Sequence, residues 1–224
     1  MYQAVVFDFD GTLVNSESGI IKTLEAMLIE LKRDPLTKEQ LRACVGPPIH
    51  KFFPETLGFK EHELEKALEV YKRLFQEIGL ATLKPFDGIV ELLCELQNAN
   101  ILTCVATCKT EPVCYEQAQA LGLLTHLDYI SGAIPEKGQL EKGSILNALI
   151  EKAGLDVSRC VMVGDRMYDI LGAREVKMKA IGVLYGSGSF EELSECAPEQ
   201  LAKSVSHLRS LLLHAKEERI CQTH

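Results

Sequence analysis

Short runs almost free of polar side chains recur along the chain, and a helical stripe separates each from the next. The runs are Ala4–Phe7 (AVVF), Ile101–Ala106 (ILTCVA), a weaker one at Tyr129–Ile130, Cys160–Val163 (CVMV) and Ala180–Leu184. A strand with one face in water alternates apolar and polar residues. An unbroken apolar run instead needs cover on both faces, the situation of a strand inside a parallel sheet. Between the runs, Ile89, Leu92, Leu93 and Leu96 keep helical spacing, as do Val113, Ala118 and Leu121, then Ile145, Leu146, Leu149 and Ile150 before Gly154, and a shorter set at Ile170, Leu171 and Ala173. Strand and helix in this order predict an α/β fold with a doubly wound parallel sheet.

One stretch interrupts the alternation. From Ser16 to Ala81 there is no strand signal. Ile20, Leu24, Met27, Leu28 and Leu31 form one helical stripe, Leu64, Ala67, Leu68, Tyr71, Leu74 and Ile78 another, and Gly46-Pro47-Pro48 marks a turn between them. The expected organisation is an α/β core built from residues 1–15 and 83–224, with an all-helical cap of residues 16–82 inserted after the first strand.

Composition narrows the partners. The 224 residues carry 24 Lys and Arg against 32 Asp and Glu, a formal charge of −8, with no long basic cluster. Such a chain is ill suited to gripping nucleic acid or an anionic membrane surface. No apolar run approaches the roughly 20 residues of a membrane span, and MYQAVVFDFD lacks the basic start of a signal peptide. The eight cysteines (44, 94, 104, 108, 114, 160, 196 and 221) include several inside apolar runs. They read as free thiols of a reducing cytoplasm rather than as bridges or a zinc site. A soluble monomer or weak homodimer acting on a small molecule is expected, with a polar tail from Glu217 to His224 that frays.

Ligands of open α/β sheets bind at the carboxyl ends of the strands. Asp8, Phe9, Asp10, Gly11 and Thr12 follow the first run. Thr107, Cys108 and Lys109 follow the second, Lys137 and Lys142 the third, and Gly164, Asp165, Arg166 and Asp169 the fourth. Carboxylates so close to buried strands need neutralising. Asp8, Asp165 and Asp169, with no His or Cys set beside them, point to a hard divalent cation such as Mg²⁺.

The sequence Asp8-Phe9-Asp10-Gly11-Thr12-Leu13, then Thr107, then Lys142, then Gly164-Asp165 with Asp169, resembles the four-motif pattern of the haloacid dehalogenase superfamily. The helical insert resembles that superfamily's type-one cap, and the whole run looks like its phosphoglycolate phosphatase-like branch. The resemblance implies a Rossmann-like core and a Mg²⁺-dependent phosphatase acting on a small phosphate ester. In it, Asp8 would attack phosphorus, and Asp10 would be acid to the leaving group and then base to water. Asp8, the Asp10 carbonyl and Asp165 would hold the metal, with Asp169 behind them. Gly11, Thr107, Cys108 and Lys142 would contact the phosphoryl group. Lys142 is preferred to Lys137 because it opens a helix, where backbone N–H groups also favour an anion.

Two positions depart from that pattern. Cys108 stands where Asn or Ser is common, and Asp87-Gly88 replaces a frequent Pro-Gly, with Asp87 expected as a helix N-cap. Substrate choice is expected to fall to the cap and its neighbours: Gly46, Pro47 and Lys51, with Arg166 and Tyr168 facing them. A sugar phosphomutase, a nucleotidase or a phosphotyrosine phosphatase on the same core, a phosphonatase using Lys51, and an inactive binding protein of this fold are the alternatives. A dehalogenase has no use for Asp10 as a leaving-group acid.

Overall fold

The computed structural model describes residues 2–213. The polar tail, His214 and Cys221 lie outside the described residues. The core sheet has six strands in the order β5-β4-β1-β6-β7-β8, every neighbouring pair parallel. The strands are β1 (Ala4–Phe7), β4 (Leu102–Thr110), β5 (Tyr129–Ala133), β6 (Cys160–Gly164), β7 (Lys179–Val183) and β8 (Gln200–Ala202). Helices α5 (Ile89–Asn98), α6 (Glu111–Ala120), α7 (Lys142–Ala153), α8 (Met167–Glu175), α9 (Phe190–Glu195) and α10 (Val205–Leu213) cover it.

The continuous apolar runs are buried on both faces, as the strand argument requires. Val5 and Phe7 of β1 point into one cluster with Leu92, Leu93 and Leu96 of α5 and Leu208 of α10. Ala4 and Val6 point into a second with Ile145, Leu146 and Leu149 of α7 and Ile170 of α8. All four β1 residues are inaccessible to solvent. Each fully buried Val, Leu, Ile or Phe contributes about 1.5–3 kcal/mol, so β1 is fixed from both sides at the centre of the sheet.

β1 is the topological switch point. From it the chain builds outward through β4 to β5, then returns through α7 to β6 on the other side and continues to β7 and β8. A crevice therefore opens where β4, β1 and β6 end side by side.

Residues between Val14 and Pro85 leave and re-enter through a two-stranded antiparallel ribbon, β2 (Val14–Asn15) with β3 (Lys84–Pro85). Between them lie α1 (Glu17–Glu30), α2 (Lys38–Ala43), α3 (Ile49–Glu55), α4 (Glu61–Leu74), a π-helical turn at Phe75–Gly79 and a 3₁₀ turn at Leu80–Thr82. These helices enclose an apolar cluster of their own, including Leu24, Met27, Phe52 and Val70. At its centre Phe53 packs edge-on against Phe52 and Tyr71, with ring centroids 4.9 and 5.8 Å away.

Two local expectations are corrected. Asp87 is not the N-cap of α5. That place belongs to Gly88, whose φ of +87° carries the chain into the helix without a side-chain cap. Thr107, Cys108 and Lys109 do not follow β4 but lie within it, where the strand runs on to Thr110 past a break in register after Ala106.

Candidate active site

Asp8 stands one step beyond β1, and its N–H still donates to the Val163 carbonyl at 2.8 Å, so its backbone is held as a last rung of the sheet. The chain then turns sharply: the Gly11 N–H donates to the Val14 carbonyl (2.8 Å) and the Val14 N–H to the Phe9 carbonyl (2.9 Å). Gly11 has φ +79°, and a Cβ there would lie 2.1 Å from Asp165 Oδ2. Only glycine meets both conditions.

Lys142 is the first residue of α7 and is 4% exposed. Its ammonium lies 2.9 Å from Asp8 Oδ1 and 2.7 Å from Asp169 Oδ1, and it donates to the Ala106 carbonyl at 2.8 Å. Asp169 also accepts from the Arg166 N–H through Oδ2, at 3.1 Å, closing the first turn of α8. Asp165 is held at both oxygens: the Thr12 hydroxyl donates to Oδ1 (3.1 Å) and the Ser187 N–H to Oδ2 (2.8 Å). Thr107 is buried, and its Oγ1 accepts from the Lys109 N–H at 3.2 Å. Lys137 is exposed.

Asp8, Asp165 and Asp169 each offer an oxygen, all within 4.8 Å of one another. One buried ammonium pairs with two of these three carboxyl groups, Asp8 and Asp169. Burial pushes Asp8 up to about 6, against the pull of Lys142 and with a further push from Asp169. Burial also holds Asp165 well above the carboxylate range, with Asp169 and Asp8 adding to it. Burial works against the charge of Lys142, but Asp169 and Asp8 outweigh it and raise that group. The arrangement has negative charge to spare and an all-oxygen donor set, so it could hold a divalent metal ion.

Asp10 points to the α6 side of the crevice, where Lys109 lies 2.9 Å from its Oδ2. The Cys108 thiol is pushed up to about 12, chiefly by burial, so it is no thiolate nucleophile. Of the cap positions, Gly46 (φ +101°) meets Arg166: a Cβ there would sit 2.6 Å from Arg166 Cγ. Arg166 donates to the Val45 carbonyl and binds Glu192 at 2.9 Å. Lys51 pairs with Glu141 at 2.6 Å, beside His50 on the same carboxylate, and lies 5.7 Å from the Tyr168 ring centroid. Pro47 is half-buried before α3 and makes none of these polar contacts. Sequence reasoning placed Thr12 and Lys109 at the strand ends without giving either a role, and missed Ser187. Lys109 had one available signal, its spacing of two from Thr107 along an extended segment.

The fold and this crevice define a doubly wound, Rossmann-like α/β core with a buried acidic cluster at the switch point. Residues 5–183 match the family model of the haloacid dehalogenase-like hydrolases, and the chain belongs to that family. It is 33% identical over 211 residues to a 5′-nucleotidase of Pseudomonas aeruginosa, covering 94% of this chain and 96% of that one. It is 31% identical over 186 residues to a phosphoglycolate phosphatase of Agrobacterium fabrum, covering 81% and 80%. The crystal structure of a protein described as a predicted phosphatase from Clostridium acetobutylicum superposes with a TM-score of 0.90 at 30% identity, covering 96% and 99%. The chain is a phosphatase of this family, in its phosphoglycolate phosphatase-like group. No helix among the described residues is long and apolar enough to cross a membrane.

Proposed function

We propose that the protein hydrolyses the phosphate monoester of a small molecule in two steps, with Asp8 as the nucleophile. The observation that carries this reading is the pair of buried contacts from Lys142 to Asp8 and Asp169, at 2.9 and 2.7 Å, at the end of the central strand. An Asp8 oxygen attacks phosphorus, the ester oxygen leaves, and a water then attacks the aspartyl-phosphate. Asp10 gives its proton to the leaving oxygen and takes one from the water. Thr107, Lys142 and the backbone N–H groups around Gly11 and Cys108 bind the phosphoryl oxygens, and the Lys142 charge opposes the negative charge that builds there. Asp169 keeps the Lys142 ammonium aimed at Asp8.

The acidic cluster fits Mg²⁺, which Asp8, Asp165 and the Asp10 carbonyl would hold, with Thr12 and Ser187 fixing Asp165. When bound, it would lessen the repulsion between Asp8 and an anionic substrate.

The helical segment 16–82 acts as a cap that selects the substrate and opens on its ribbon linkers, through Gly46, Lys51 and their partners Arg166 and Tyr168. A phosphoglycolate-like substrate is the first reading. A nucleoside 5′-monophosphate is the second, supported by the nucleotidase relative, which matches nearly end to end. A soluble cytoplasmic enzyme, monomeric or weakly dimeric, accords with this reading.

The test is release of phosphate from p-nitrophenyl phosphate, phosphoglycolate, sugar phosphates and 5′-nucleotides, with and without Mg²⁺. Turnover that needs Mg²⁺ and is abolished by Asp8→Asn is expected. Equal turnover by the Asp8→Asn protein would end the reading.

A further inference from the structure

We infer that Lys109 is a positioning residue for the acid–base carboxylate Asp10; this rests on the phosphatase reading above. The Lys109 ammonium reaches both oxygens of Asp10, at 2.9 and 3.1 Å. The two side chains are 15% and 16% exposed, so the pair is screened less than a surface one. The ammonium is itself fixed. Gln117 Oε1, on α6 and buried, accepts from it at 2.5 Å. The ring centroid of Phe9, from the nucleophile loop, lies 5.2 Å away, and that of Phe75, from the π-helical turn of the cap, 5.6 Å away. Three parts of the molecule, the loop of Phe9 and Asp10, α6 and the cap, thus surround one ammonium, and both Asp10 oxygens rest on it.

Nothing else in the described residues restrains the Asp10 side chain in this way. Its backbone lies in the turn beyond β1, where Asp8 and Thr12 carry their own partners on Lys142 and Asp165. Without Lys109 the carboxyl group is free to rotate about its side-chain bonds, and a proton donor that is off line by an ångström loses much of its effect. Phe75 ties the arrangement to the cap: with the π-helical turn against Lys109, the donor is framed when the cap lies over the crevice.

Proton donation matters in proportion to how poor the leaving group is. In the first step the Asp8 oxygen–phosphorus bond forms and the phosphorus–ester oxygen bond breaks. An alkyl ester oxygen departs as the alcohol, carrying the Asp10 proton. A p-nitrophenyl oxygen departs as the phenolate and needs none. kcat/KM covers steps only up to that departure, so it isolates donation from the later attack of water.

The experiment measures kcat/KM for wild type, Lys109→Met and Lys109→Arg on p-nitrophenyl phosphate and on an alkyl phosphate that the wild type accepts, with far-UV circular dichroism melts of each protein. Lys109→Met is expected to lose at least about tenfold more on the alkyl ester than on the p-nitrophenyl ester, with Lys109→Arg restoring part of the difference. Equal losses on both esters would overturn the inference and leave Lys109 a structural lysine. Gains on both would also overturn it, marking the pair as an inhibitory contact. Absence of wild-type turnover on every ester would strike the phosphatase reading instead.

Discussion

Replacing Asp8 by Asn should make the metal-free protein more stable, by an amount that depends on pH. Burial raises the Asp8 carboxyl from 3.8 to about 6, with Lys142 opposing the rise and Asp169 adding to it. Folded protein therefore binds this proton more tightly than unfolded chain, and the stability so gained is present below about pH 4 and is lost as pH rises through about 6. At about 1.4 kcal/mol per tenfold change in proton affinity, the full loss is about 3 kcal/mol at pH 8, about half that at pH 5 and about 0.5 kcal/mol at pH 4. An amide carries no charge to bury, and its oxygen can still accept from Lys142. The chain has no Trp, so urea unfolding is followed by far-UV circular dichroism, with EDTA present. Asp8→Asn should exceed wild type by up to about 3 kcal/mol near pH 8 and converge on it towards pH 4. Adding Mg²⁺ at pH 8 should stabilise wild type and narrow the gap. If the Asn protein is the weaker one at pH 8, or its advantage is the same at both ends, the account of a nucleophile held ionised at a cost is wrong.

Gly11→Ala places a methyl group 2.1 Å from Asp165 Oδ2 at a φ of +79°. It should lower kcat/KM on p-nitrophenyl phosphate by about 100-fold or more and stability by about 1–3 kcal/mol, read from phosphate release and urea unfolding. Cys108, pushed up to about 12 chiefly by burial, should resist iodoacetamide at about pH 8 in the folded protein and react once urea is added, as followed by peptide mass spectrometry. Cys108→Ser should stay within about threefold of wild type on the same ester, because the thiol supplies no nucleophile.

The parts of the fold readable from sequence are those where burial is one-sided in kind. Every β1 side chain is apolar because Val5 and Phe7 enter one core and Ala4 and Val6 the other, and that pattern stands out without knowing either core. β2 and β3 are two residues each and β8 three. Strands that short show no period at all. At Asp87, side-chain preference pointed to a cap, but the backbone sign of Gly88 decided the matter. In the segment 17–82, α1 and α4 declared themselves through their stripes, whereas the short helices α2 and α3 and the ribbon that carries them all did not.

The site divides the same way, and the division follows from energy. Asp8, Lys142, Asp165 and Asp169 are buried, and charged groups out of water are tolerated only where partners are held close around them. Groups of that kind must sit at strand ends and helix starts, so motif spacing finds them. Contacts between cap and core are of another kind. Lys51 and Glu141 keep 34% and 50% of their side-chain surface in water, where a pair is worth about 0–1 kcal/mol. Arg166 reaches Val45 across 121 positions of sequence. Sequence reasoning brought Gly46 and Lys51 towards Arg166 and Tyr168 but gave no partner such as Glu141 or the Val45 carbonyl, and the exposure of the Lys51–Glu141 pair accords with the proposed opening of the cap. Lys109 falls between the two kinds. It is nearly buried, yet its partners Asp10, Gln117 and Phe75 come from three separate stretches, so only the assembled molecule brings it to Asp10.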